Sequence, residues 1–440
     1  MPRWMPATGC MPSEQASSSK PSRRFLNASH ALEPVTRHER LVIALVTLLQ
    51  FAVIMGFTMV MALGPDFAQS LGIPLDHLGY IVGSYPLAAA VGTLLWTRHA
   101  DRFDRRWAVL GFLFGAALCH LIASFATGFE TLLAARMLGG LFGGPAAATA
   151  LAIVIDVVPG IRRGRAMGMV MGAFSVASVL GLPFALWLSE GFGWQAPFRA
   201  VALLALLVCG LLAWVLPPIR GHLDNPRSRA GTSIATILAQ PNHRLGLALI
   251  ATAMFSNFLV IPNLSSYLLF NLDLPREDLG GLYMIGGGLS LVGMQLTGRL
   301  CDRFGSVWPG TITCLLTALV GWAFLLHSPG PSLVWVGFGA YMLFSSARRV
   351  AQNTLNSFIP AEHERAAFTS TQSAVQHLSS AAGSYLGAAL LVSSPGGALE
   401  GMPLLVAVLV VALVIQPVLM AWLARRLAQA RVDVDGQVVE

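Results

Sequence analysis

Two short stretches of this chain carry the charges best placed to act together. Asp101 and Arg102 are followed by Arg105 and Arg106, and 201 residues further on Asp302 and Arg303 repeat the acidic–basic pair. A carboxylate beside guanidiniums can pair with them or with a facing helix end. Such pairs are strong enough to hold one conformation and discrete enough to release it. That chemistry suits a gate. Arginines alone would read as the basic loops of a membrane protein; an acid at the same place in both stretches favours the gate. The stretches are copies: residues 91–107 read VGTLLWTRHADRFDRRW and residues 292–308 read VGMQLTGRLCDRFGSVW, with eight of 17 positions identical. Arg165-Ala166 and Arg365-Ala366 match at nearly the same offset.

Arg136 is the next candidate, at the head of RMLGGLFGG. It stands about six residues into an apolar run, roughly 9 Å from its end at 1.5 Å per residue. A charge at that depth is costly and marks a functional position, here proton coupling or cavity lining. The alternative is a side chain that snorkels to the interface. In the following run, Gly172, Gly181 and Pro183 would permit close backbone approach and a bend.

Polar residues recur in the later runs. Ser345, Arg349, Gln352 and Asn356 are spaced 4, 3, 4 and share one helix face, with Arg348 adjacent. Gln372, Gln376, His377, Ser380 and Ser384 follow in the next run, and Gln50, Tyr85, Asn257 and Tyr267 are single polar groups in earlier ones. In a bilayer such groups face a watery cavity or hydrogen-bond between helices; both remain open for each residue. No Asp or Glu lies in the middle of a run, since Asp66, Glu130, Asp156 and Glu190 all sit near run ends. A mid-membrane carboxylate suits an organic cation. Its absence favours a neutral or anionic substrate.

These residues need a frame, and the composition dictates one. Of 440 residues, 55% are hydrophobic and 11% charged, against about 25% charged in a soluble domain. So few charges cannot cover a soluble surface of this size. The chain is therefore expected to be an integral membrane protein, which excludes a cytosolic enzyme, a nucleic-acid binder and a disordered scaffold. The net charge of +7 comes from 27 Arg and the single Lys20. Lys20 follows three serines, so there is no Walker A lysine and no ATP is expected. Five scattered cysteines form no CxxC pair and read as buried small hydrophobes. His363 has no second His at i+4, so zinc-protease chemistry is not expected. Neither cofactor nor metal is implied.

Crossing a bilayer takes about 20 helical residues. Twelve runs qualify, near 41–63, 78–97, 107–126, 130–157, 166–189, 198–217, 244–270, 279–298, 307–327, 332–357, 366–392 and 402–424. With the N-terminus inside, 25 Lys/Arg fall on the cytoplasmic side and only Arg199 and Arg276 outside, a strong positive-inside signal. Both termini are then cytoplasmic. The repeat divides the chain into a disordered tail (1–40), a six-helix bundle (41–217), a linker (218–243), a second six-helix bundle (244–424) and a tail (425–440). An offset of six helices makes the halves parallel repeats about an axis along the membrane normal, with a cavity between them.

From about 41 to 424 the chain resembles the major facilitator superfamily. The family's loop pattern G-x-x-x-D-R-x-G-R-R is matched by Asp101, Arg102, Arg105 and Arg106, with Thr97 and Asp104 at the glycine positions; the second copy keeps Gly298 and Gly305 but lacks the arginine pair. Arg136 matches the family's fourth-helix motif, whose Arg is implicated in proton coupling. Gly172, Gly181 and Pro183 are similar to the fifth-helix motif of 12-helix drug:H+ antiporters of the arabinose-efflux-permease-like branch. The resemblance implies an all-α fold of 12 transmembrane helices in two pseudo-symmetric bundles. It implies a rocker-switch transporter of a small molecule, proton-coupled and working in efflux, monomeric, in a bacterial inner membrane. The alternatives are a uniporter or importer of a sugar or metabolite, and a non-transporting sensor of the same fold.

Overall fold

The computed structural model describes residues 36–437 except 98, 100–101, 159, 220–233, 328–329, 362–363 and 395–397. The expected tail before residue 36 and most of the linker lie outside the described residues. So does Asp101.

Long apolar runs become helices because a bilayer leaves backbone polar groups no partner but the helix itself. The first half holds α1 (Arg37–Ala62), a short α2 (Gly64–Leu71), α3 (Leu78–Thr97), α4 (Arg105–Ala123), α5 (Phe129–Val157), α6 (Gly160–Val176), α7 (Leu182–Phe192) and α8 (Gln195–Val215). After a six-residue α9 (Ile234–Ala239), the second half holds α10 (Pro241–Phe270), α11 (Asp278–Phe304), α12 (Val307–Leu326), α13 (Pro331–Asn356), α14 (Arg365–Leu390) and α15 (Met402–Gln437). Counting α6–α7 as one interrupted span, each of the twelve expected runs has its helix.

Among the described residues, ten helices are long and apolar enough to cross a membrane on composition alone. The two expected spans not among them are α13 and α14. Each is 26 residues long; α13 carries the Ser, Arg, Gln and Asn residues singled out above and α14 the Gln, His and Ser residues. Their polarity has a structural cause: α14 packs on α10 and on α3 of the other half, and α13 on α11 and α12.

Local sequence explains the breaks. Thr36 and Glu39 form a reciprocal capping box at the start of α1, satisfying two orphan N–H groups. Asp104 stands where the family pattern has a glycine, and its carboxylate caps α4 by accepting from Arg106 N at 2.9 Å and also from Ile219 N at 3.0 Å. The turn is thus held by a side chain instead of by glycine. Between α6 and α7, residues Ala177–Gly181 form one π-helical turn, in which Leu182 N–H reaches back to Ala177 O. Pro183 has no N–H to continue the regular ladder, and a π turn absorbs the mismatch.

α1 begins at one end of the molecule, and the helices then alternate in direction. The end that carries Arg37 and Gln437 is termed basal here and the other distal. At the distal end one apolar cluster runs through both halves, from Met59, Leu63, Phe67 and Phe198 to Leu264, Leu268, Leu282 and Leu409. Towards the basal end the core divides. One cluster, with Val46, Leu49, Val109 and Ile153, belongs to the first half. Two smaller ones, around Leu249–Met420 and Ile237–Phe368, belong to the second. A two-residue antiparallel hairpin, Val392–Ser393 with Leu399–Glu400, crosses the distal end; the sequence reading did not foresee it.

Candidate functional site

The site is built from the faces that the two halves turn to each other. On the first half, Arg136 lies on α5 and is 1% exposed. Its guanidinium turns inward. Nη1 donates to the carbonyl of Gly56 and Nη2 to that of Phe57 at 3.2 Å, both on α1. It also stacks over the Tyr85 ring, 4.6 Å from the centroid. Backbone carbonyls and an aromatic face thus take the place of a carboxylate as partners for the cation.

The motif that follows Arg136 makes room for Tyr85. A Cβ at Gly140 would lie 2.2 Å from Tyr85 O, and one at Gly143 would collide with the Tyr85 hydroxyl. Glycines here form a slot on α5 into which α3 presses its tyrosine. The Tyr85 ring stacks on Phe57 at 5.4 Å, and Phe57 stacks on Phe258 of α10 at 5.6 Å. One continuous stack therefore links Arg136 to the second half. His120, which the sequence reading passed over, packs against Gly56 from α4. Only its place in an apolar run could have signalled it.

On the second half, Asn257 Oδ1 accepts from Ser345 Oγ at 2.9 Å. Arg348 is fully buried inside the bundle. Its Nη1 donates to Gln416 Oε1 at 2.9 Å, and Gln352 Nε2 donates to the same oxygen at 2.6 Å. Gln416 Nε2 donates in turn to Ser256 Oγ at 3.1 Å. Gln416 is the hub of this network, and the sequence reading missed it although it is the one Gln in the last apolar run. Arg349, half-buried, points elsewhere: Nη2 donates to Ser346 Oγ at 3.2 Å, and the guanidinium lies over Phe174 of α6, 5.4 Å from its centroid. It thus spans the two halves. Asn356 Nδ2 bonds Gly246 O at 2.9 Å, a helix–helix contact. Tyr267 donates to the Phe324 and Leu325 carbonyls, also within its half. Gln376 and His377 are half-buried on α14, and Gln50 is buried on α1 with its Oε1 unpartnered.

The motif glycines of the fifth span separate. A Cβ at Gly181 would meet Met55 Sδ of α1 at 2.1 Å, so that glycine serves close packing. Gly172 has nothing within 4 Å of its Cβ position. The π turn beside Pro183 also meets the second half: a Cβ on Gly287 would lie 2.9 Å from Ser178 O.

Among the described residues, the paired loop charges at the basal end stay within their halves. Arg105 Nε pairs with Asp156 at 2.5 Å, and Arg106 Nη2 donates to Ala213 O on α8. Arg102, Asp302 and Arg303 are exposed. In the second half His243 and Gln240 both reach Glu364, at 3.5 and 2.6 Å. At the distal end, by contrast, charges join the halves. Arg276 binds Asp66 and Glu190, and Ser393 Oγ donates to Asp76 Oδ1 at 2.7 Å. Burial pushes the Asp66 carboxyl above its ordinary range, against the pull of Arg276.

Comparison with known proteins agrees with this architecture. Residues 46–361 match the model of the Major Facilitator Superfamily. The chain is 30% identical to a chloramphenicol resistance protein of Streptomyces lividans, over 60% of this chain and 67% of that protein. It is 26% identical to the purine ribonucleoside efflux pump NepI of Escherichia coli, over 64% and 72%. A probable sugar efflux transporter of Pasteurella multocida is 29% identical over 41% and 44%. Among solved structures, a bacterial homologue of the human lysosomal transporter Spinster, in an inward-facing and unoccupied conformation, superposes with a TM-score of 0.67 at 18% identity, covering 89% of this chain and 96% of that one. A D-xylose–proton symporter gives 0.66 at 18%, covering 87% and 97%. The family and these relatives are membrane transporters, not enzymes. A multi-pass helical chain with these relatives belongs to the Major Facilitator Superfamily of membrane transporters.

Proposed function

We propose that this chain exports a small organic molecule in exchange for protons, by rocking its two six-helix bundles about the stacked distal contact. The observation that carries the reading is the divided core: apolar packing is continuous across the halves at the distal end and separates at the basal end. Between the halves, Arg349 of α13 lies over Phe174 of α6, and α14 packs on α3. That is one of the two states an alternating-access transporter requires. Residues 41–217 and 244–424 are the moving bundles, with 218–243 as their linker.

The basal end is the cytoplasmic side, as the excess of Lys/Arg in the loops and tails at that end supports. The membrane is a bacterial inner membrane. The basal gate would be formed by Asp101, Arg102, Arg105, Arg106, Asp302 and Arg303; among its described members, Arg105 and Arg106 hold partners in their own half, which favours an open gate in this state. Closing brings the two copies of the loop together while the distal contacts part. Arg136 takes part in the coupling as a fixed positive charge beside the path of the proton, because its guanidinium holds the carbonyls of α1 at the stack that bridges the halves. By name the relatives are a chloramphenicol resistance protein, a probable sugar efflux transporter and a purine ribonucleoside efflux pump, so small organic molecules are the candidate cargo of this chain. The unit is a monomer that uses neither ATP nor another cofactor.

The test is proton flux in liposomes containing the purified chain and a sealed pH-sensitive dye. Chloramphenicol, purine ribonucleosides, sugars and organic anions are added under an imposed pH gradient. Cargo-dependent flux that disappears in Arg136→Gln supports the reading. Cargo movement without proton flux would replace it with uniport, and silence across the whole panel would favour a sensor of the same fold.

A further inference from the structure

The charge balance inside the membrane is one-sided. None of the chain's 21 acidic residues lies in mid-span, whereas Arg136, Arg348 and Arg349 do lie within spans. A cation out of water needs a counter-charge or a full set of acceptors. Arg136 has two carbonyls and a tyrosine ring, and only its Nε is left without a partner. The neighbouring pair on α13 is left short. Arg348 Nε and Nη2, and Arg349 Nε, are buried without a hydrogen-bond partner. Arg348 is pinned by Gln416, but Arg349 is half-buried, holds only Ser346 and Phe174 among the described residues, and reaches from one half to the other.

Position supports the same point. Arg349 is seven residues from the basal end of α13, about 10 Å along the axis, and its stem can carry the head further in. Gln376 and His377, on α14, stand eleven and twelve residues from its basal end and are likewise half-buried. At about 17 Å from that end they stand roughly one helical turn deeper than Arg349, on the helix that packs against α3 of the first half.

We propose that the cargo is an organic anion, and that Arg349, backed by the buried charge of Arg348, binds its negative group. The cargo's charge supplies the acceptor that the empty protein lacks. Binding would draw Arg349 away from Phe174 and leave that ring to pack against the cargo's apolar part. This rests on the transport reading and deepens it.

The test uses the purified full chain in neutral detergent, with benzoate, benzamide and benzamidinium as probes that share one ring and differ in charge. Thermal stabilisation and calorimetry should rank benzoate first and benzamidinium last. Arg349→Gln should weaken benzoate binding roughly ten- to hundredfold, the range of one charge-assisted hydrogen bond. Arg349→Lys should restore part of it. Arg425→Gln, an exposed position on α15, should leave benzoate binding unchanged and certify that lost charge alone is not the cause. Equal response to benzamide, no response to benzoate, or benzoate binding untouched by Arg349→Gln would each overturn the proposal. Stabilisation by phosphatidylglycerol but not by benzoate would overturn it too, because it would assign the arginines to a lipid headgroup. Liposome flux with a neutral cargo that survives Arg349→Gln would refute the anion and leave transport standing.

Discussion

Arg276, in the loop between α10 and α11, donates to both carboxylate oxygens of Asp66 in the first half, at 2.9 and 3.1 Å. Its second nitrogen reaches Glu190 on α7 at 3.1 Å. One residue of the second half thus holds two acids of the first. With the Asp76–Ser393 pair it forms the polar rim of the closed distal end.

Arg276→Gln should loosen that end. A partly exposed pair is worth about 1 kcal/mol or less, so the closed-to-open ratio should fall by up to about fivefold per pair lost. Spin labels at Ser70 and Glu277, both exposed on the distal side, should report a larger population of long distances. An unchanged distribution would mean that the apolar contacts alone set the equilibrium.

The same rim should respond to pH with a definite sign. Burial raises the Asp66 carboxyl above the ordinary carboxylate value, with Arg276 pulling the other way; Glu190 lies beyond that arginine. The closed form, where Asp66 is buried, holds the proton more firmly than an open, hydrated form. Closure should therefore weaken as pH rises from about 3.8 through the raised value, and stay level above it. Asp66→Asn should abolish the dependence and resemble the acid side of the wild type. The label distances at several pH values check this, and a slope of opposite sign would contradict it.

Two glycine-to-alanine changes should differ in sign. Gly140→Ala drives a Cβ into the Tyr85 carbonyl; overpacking costs about 1–3 kcal/mol, against a helix-propensity gain of about 1 kcal/mol. Gly172→Ala meets nothing within 4 Å and keeps the gain. Thermal unfolding in detergent should therefore place Gly140→Ala below the wild type and Gly172→Ala at or above it.

Gln416→Leu removes the shared acceptor of Arg348 and Gln352. Stranding buried donors costs about 1–3 kcal/mol each, and the loss should appear as a lowered unfolding temperature. Gln416→Glu should recover stability by supplying a charge to Arg348.

Much of the frame was legible in the sequence because membrane helices must satisfy their own backbone. The span at Leu78–Thr97 and the start of the one at Val307 coincide with the expected runs. Arg136 announced itself because a cation in an apolar run is rare. Its partners did not, since two α1 carbonyls and a tyrosine ring carry no sequence signature. The Arg276 cluster was also hidden: its three residues are loop or helix-end charges up to 210 positions apart, and only the docking of the halves brings them together. Asp104 was read as a departure from a glycine pattern, and the structure makes it a helix cap. The π turn follows from Pro183 but could not be located to one turn without backbone geometry.

The most direct measurement is a reversible lock on the distal end. Asp76→Cys with Ser393→Cys places thiols where the two side chains now hydrogen-bond at 2.7 Å across the halves, in a chain whose native cysteines are replaced by serine. If the halves must part there to release cargo, cargo-driven proton flux in liposomes will stop on oxidation and return on reduction. Full flux with the disulfide formed would contradict alternating access about this contact.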